Sequence, residues 1–164
     1  MRGSKPACLY ALMPGSHSLL RNWFLVALWM VVIFFLSTDV LSDQRTSRFI
    51  GPILRWLHPG ISDAAVREIQ YAIRKCGHLS EYAVLAILLH RALNLITINP
   101  SSSSSWSQVS WTLLLMALYA CTDEFHQAFV PSRQASVWDV LIDTVGGGIG
   151  LAVWWTIGRW RKRW

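Results

Sequence analysis

The sequence predicts an all-α fold: an integral membrane four-helix bundle with a short interfacial helix between the first two spans. Two observations lead there. Of 164 residues, 53% are hydrophobic and only 15% charged, with a mean hydropathy of +0.35, a composition that departs from that of a soluble domain. The hydrophobic residues also fall in four runs, at about 19–36, 76–98, 106–129 and 137–157, each near the roughly 20 residues a bilayer crossing needs. One transmembrane domain, residues 19–158, is therefore expected between a basic tail, 1–18, and a basic C-terminal anchor, 159–164. The net charge of +6 sits at the chain ends and around the first loop, which favours anionic lipid headgroups over nucleic acid as the partner.

The tail carries Arg2, Lys5 and Arg21 ahead of the first run. A basic start before an apolar stretch also fits a signal peptide, but FFLSTDVLSDQ offers no small-residue cleavage site, so a retained span from Leu19 to Leu36 is expected. Gly51-Pro52 and Pro59-Gly60 read as turns around IGPILRWLHPG, the expected interfacial helix, with Arg55, Trp56 and His58 at headgroup depth. Ser62 is placed to cap the next helix, which begins amphipathic and enters the membrane near Leu79. Asn99-Pro100 and five serines form a linker, Pro131 stops the third span, and Gly146, Gly147, Gly148 and Gly150 favour close helix contact in the fourth. Arg159, Arg161, Lys162 and Arg163 with Trp160 and Trp164 make the terminal anchor. Cys8, Cys76 and Cys121 are far apart and without a CxxC, so they imply neither a disulfide framework nor a zinc ribbon.

Antiparallel neighbours bring four polar ends to one side. The first span ends in Ser37, Thr38 and Asp39, and the second starts with Lys75, His78, Glu81 and Tyr82. The third ends in Asp123, Glu124, His126 and Gln127; Arg133 follows, and the fourth starts with Ser136, Asp139 and Asp143. Lys75, His78 and Tyr82 follow an i, i+3, i+7 pattern, Asp123 pairs with His126 or Gln127, and Asp139 with Asp143 at i+4, so each of these sets shares a face. A charge at a helix centre in a bilayer costs roughly 2.5–3.5 kcal/mol even on lenient scales, and such groups face a bundle interior, pair with one another and mark sites. A single polar cluster near one membrane surface is expected. Cations at both ends favour cytoplasmic termini and an outward-facing cluster, a weak bias because the first loop is also basic.

FFLSTD, RKCGHLSEYAVLA and TDEFHQAFVPSRQASVWDVLIDTVGGGIG resemble the VanZ-like family of small bacterial membrane proteins over about Val31 to Leu151. The resemblance implies a multi-pass protein of the bacterial inner membrane, within the cell envelope, and a namesake associated with teicoplanin resistance. It further implies that the matched polar residues act on lipid head groups. Those residues are Lys75, His78, Glu81, Tyr82, Asp123, Glu124, His126, Gln127, Arg133, Asp139 and Asp143.

Three chemistries remain open for the cluster. In an enzyme acting on a phosphate-bearing head group, such as a lipid-linked envelope substrate, Lys75 and Arg133 would hold phosphate. His78 or His126 would then serve as base or nucleophile beside Asp123, Glu124, Asp139 and Asp143, with Glu81, Tyr82 and Gln127 contacting substrate. A metal site would use His78, His126 and carboxylates, but no HExxH is present, and neither metal nor cofactor is expected. A non-catalytic protein would use the same groups to bind lipid or antibiotic, or only to pair helices. SRQASVWD lacks the histidine of a lipid-phosphatase motif between Arg133 and Asp139, which sets that family aside. His17, His58 and His90 are expected to be tail or interfacial residues.

Overall fold

The structure, a computed structural model, describes residues 16–38, 43–96, 105–130 and 135–161. It contains five helices: α1 (Ser16–Leu36), α2 (Asp43–Leu57), α3 (Asp63–Ile96), α4 (Ser105–Gln127) and α5 (Val137–Trp160). No strand occurs among the described residues. Arg133, Asp39, the tail before residue 16, the serines 101–104 and the last three residues fall outside them.

Each helix buries one narrow stripe. In α1 the stripe is Asn22, Val26, Ile33 and Ser37, while Leu20, Phe24, Leu28 and Phe35 point outward. In α4 it is Thr112, Met116, Ala120, Asp123 and Gln127. The spacing is helical in both, but the outward faces are as apolar as the inner ones, the pattern of helices solvated by lipid rather than water. Among the described residues, α1, α3 and α5 are long and apolar enough to cross a membrane. α4 has 23 residues, enough for roughly 34 Å at 1.5 Å each, but Gln108, Asp123 and Glu124 lower its apolar content.

All four other helices pack on α3, and α5 does so most extensively. Lys75 meets Asp139, Leu79 meets Gly146 and Ala83 meets Gly150, so α3 and α5 run parallel. Tyr82 lies near Asp123 and His90 near Thr112, which makes α4 antiparallel to α3. The tight seam depends on missing side chains. A Cβ at Gly146 would stand 2.7 Å from the Leu79 carbonyl oxygen, and one at Gly150 would stand 2.5 Å from that of Ala83. Gly147 is filled from the other side by Met116, whereas Gly148 faces open space.

Two expectations about the first loop are revised. The segment expected to be interfacial is a 15-residue helix with Pro52 inside it, so Gly51-Pro52 is not a turn. Proline removes one backbone bond and crowds the carbonyl four residues back; Gly51, buried against Val66 and Gln70, anchors the helix to α3 at that point. Phe49, Ile53, Trp56 and Leu57 form an exposed apolar stripe on α2. Ser62 does cap α3, its hydroxyl accepting from Ala65 N at 3.2 Å. Arg55 hydrogen-bonds Asp63 at 2.7 Å ahead of the apolar part of α3, and this holds the Asp63 carboxyl below its usual range. Both side chains are exposed, so the pair contributes little to stability.

His90 lies half-buried between α3 and α4, with Nδ1 3.4 Å from Thr112 Oγ1. The Thr112 hydroxyl hydrogen is donated to Gln108 O at 2.7 Å, so His90 Nδ1 is the donor of that contact.

Candidate functional site

Four helices deliver polar side chains to one end of the bundle. α1 ends there, α4 ends there, α5 begins there, and α3 passes through it. Ser136 caps α5, accepting from Trp138 N at 3.2 Å with an extended backbone at φ −143° and ψ 128°. That cap sets where α5 starts, and with it the depth of Asp139 and Asp143.

Asp123 is the centre of the cluster. Its Oδ2 accepts from Ser37 Oγ at 2.7 Å, from Gln127 Nε2 at 2.9 Å and, at the limit of a hydrogen bond, from Tyr82 OH at 3.5 Å. One oxygen thus ties α1, α3 and α4 together, while Oδ1 is buried with no partner among the described residues. Along α4, the partner of Asp123 is Gln127 at i+4 rather than His126. Glu124 turns the other way: Oε2 accepts from Ser136 N at 2.8 Å, and Oε1 is buried with no partner among the described residues.

On α5, Asp139 and Asp143 face two α3 residues with matching spacing. Lys75 is ion-paired with Asp139. His78 Nδ1 lies 3.8 Å from Asp143 Oδ1, within ion-pair reach but too long for a hydrogen bond. Asp143 is 1% exposed, and its Oδ2 has no partner among the described residues. His126 rests on Phe34 of α1, ring centroids 4.3 Å apart and tilted by 35°, with Nδ1 buried and with no partner among the described residues.

Of the residues named from sequence, the structure gathers Lys75, His78, Tyr82, Asp123, Glu124, His126, Gln127, Asp139 and Asp143 at this end. Glu81 sits beside the cluster. Its backbone oxygen accepts from Trp29 Nε1 at 2.9 Å, which fixes α1 against α3. Arg133 belongs to the segment outside the described residues. Ser37, Ser136 and Phe34 are cluster members not counted as site residues from sequence. Ser37 and Ser136 already lay in the polar ends, but nothing in the pattern gave Phe34 a role beyond the lipid face.

Among the described residues, no three His, Cys, Asp or Glu side chains converge as metal ligands. The cluster can accept hydrogen bonds at three buried carboxylate oxygens, offers imidazole nitrogen at two histidines, and presents one ammonium already paired. Such a set can position a donor-bearing ligand and move a proton between carboxylate and imidazole.

A family model for VanZ/LLP1 matches residues 22–158. The chain belongs to the VanZ/LLP1 family. The VanZ/LLP1 match begins in the buried stripe of α1 at Asn22 and runs to Gly158 in α5, so the whole cluster lies inside it. No curated protein and no solved structure matches the chain.

Proposed function

We propose that this VanZ/LLP1 protein is a four-span bacterial inner-membrane protein whose polar cluster acts on a phosphate-bearing lipid head group, as a transferase or hydrolase. The observation that carries the proposal is a set of buried polar atoms with no partner among the described residues: Asp123 Oδ1, Glu124 Oε1, Asp143 Oδ2 and His126 Nδ1. Unsatisfied groups at membrane depth are costly, and a ligand that supplies the missing partners offsets that cost. Among the described residues the cluster holds four carboxylates against one lysine, so Arg133 is assigned to phosphate. His126 is the proton acceptor, and Asp143 orients His78.

Four spans require α4 to cross as well. Trp106 near its start and Phe129 just past its end are both strongly exposed, about 35 Å apart along a helical path, where aromatic rings belong at the two interfaces of a bilayer. Between α1 and α3, α2 lies along the surface on its Phe49, Ile53, Trp56 and Leu57 stripe. With both termini cytoplasmic, the cluster faces outward and meets envelope lipids, including lipid-linked substrates. A contribution to teicoplanin-type glycopeptide susceptibility follows from the family resemblance and belongs to the same proposal.

A second reading is favoured by the paired half of the cluster. Three donors on Asp123 Oδ2 and the Lys75–Asp139 pair would equally build a lipid- or antibiotic-binding site without chemistry. Mass spectrometry of membrane lipids from cells with and without the protein separates the two. A head-group product formed by wild type and lost in a well-inserted Arg133→Ala variant supports the enzyme. An unchanged lipid profile leaves binding.

A further inference from the structure

The seam where α3 and α5 meet has a groove on its outer side. It measures about 280 Å³ and is lined by Cys76, Leu79, Ser80, Ala83, Gly146 and Ile149. Its walls are apolar for specific reasons. Ser80 turns its hydroxyl onto the Cys76 carbonyl of its own helix at 2.8 Å, which removes it as a polar group. Gly146 and Ala83 contribute little or no side chain. Ile149 on α5 is exposed and apolar. Both helices are among those apolar enough to cross a membrane, so the groove opens to hydrocarbon rather than water.

Cys76 follows Lys75, and the Lys75 and Asp139 side chains each retain 19% exposure. Asp123, Glu124 and Asp143 retain 2%, 5% and 1%. On the α3–α5 side, the accessible edge of the cluster is therefore the Lys75–Asp139 pair, one residue along α3 from the Cys76 end of the groove. From Cys76 to Ala83 the groove runs roughly 10 Å along the helix axis. Over that length its volume admits a narrow chain, and not a further helix about 10 Å across.

We propose that this groove seats one acyl chain of a membrane lipid whose head group lies at the Lys75–Asp139 end. The proposal rests on the cluster's role with lipid head groups and adds the route: substrate enters sideways, from the bilayer, between α3 and α5.

The test uses the full chain in phosphatidylethanolamine–phosphatidylglycerol vesicles containing a phosphatidylethanolamine with a photoactivatable diazirine in its acyl chain. Cross-linked peptides are mapped by mass spectrometry. Labelling is expected to exceed several-fold, in residues 76–83 and 146–149, that at the equally lipid-facing Leu118 of α4. Ser80→Trp, which fills the groove, is expected to abolish the excess, and so is Ile149→Trp, made from the α5 wall in case the first variant fails to accumulate. Leu118→Trp should leave it unchanged. Labelling no greater in the groove than at Leu118, or an excess that survives both filling variants, overturns the proposal. Lipid turnover is read on the same samples. Groove labelling without turnover would remove the enzymatic reading alone, and turnover without groove labelling would remove the groove alone.

Discussion

Asp123 shows how one residue can be structural on one side and available on the other. Three donors converge on Oδ2 while Oδ1 has none among the described residues. Removing one donor and removing the acceptor should therefore differ. Ser37→Ala takes away a single hydrogen bond, and the loss expected in thermal unfolding of the purified protein is about 0.6–1.7 kcal/mol, the range for interhelical bonds in membranes. Asp123→Ala strands the Ser37 hydroxyl and the Gln127 amide together and should cost more, about 1–3 kcal/mol per stranded group. Equal effects would mean that Oδ2 is not the point where α1 and α4 are joined. The same logic applies to Lys75, which is paired with Asp139. Lys75→Met alone should destabilise more than Lys75→Met combined with Asp139→Leu, because the single change leaves a carboxylate without its cation. Thermal midpoints in the opposite order would show that the pair does not hold α3 to α5.

At the scale of elements, the α3–α5 seam carries the most specific prediction. Gly150→Ala places a methyl group 2.5 Å from a backbone oxygen of α3, where no side chain can move aside. It should cost about 1–3 kcal/mol, the range for overpacking. Gly148→Ala meets nothing within 4 Å and should be neutral or slightly stabilising. Similar unfolding midpoints for the two variants would contradict the close packing. The glycine run announced close contact in the sequence, but not which of its members make it, since that depends on how α5 is rotated against α3. α2 was legible as a helix with an apolar stripe, but its length was not. Proline read as a turn because the local cost of Pro52 is plain in the sequence, whereas the burial of Gly51 on Val66 and Gln70 is visible only once α3 is in place.

For the molecule as a whole, the all-α character and the gathering of polar ends could be read from spacing alone. His78, Asp139 and Asp143 were legible because a charged group in an apolar run needs a neighbour, and the i+3 and i+4 intervals on α3 and α5 match. The partner assignments were less legible. Asp123 binds Gln127 and Ser37 rather than His126, and Phe34 under His126 looks in sequence like any lipid-facing aromatic. α1, α3 and α5 are long and apolar enough to cross a membrane, while Gln108, Asp123 and Glu124 lower the apolar content of α4. Topology is tested by thiol accessibility of single cysteines at Gly60, Ser103 and Arg133 in an otherwise cysteine-free chain. Positions 60 and 133 should react from outside and 103 from inside. A residue 133 that reacts only from inside would sink the outward-facing site.

The buried acceptors of α4 and α5 are proposed to do chemistry on a lipid head group. The most direct measurement is head-group turnover by purified protein in vesicles of bacterial phospholipid, followed by mass spectrometry for wild type, His126→Ala and Glu124→Gln. Product from wild type, lost in both variants while their unfolding midpoints stay near wild type, is the result expected. Product formed equally by folded His126→Ala and Glu124→Gln would contradict the roles given to these side chains, and no product from wild type would leave the cluster as a binding or structural feature.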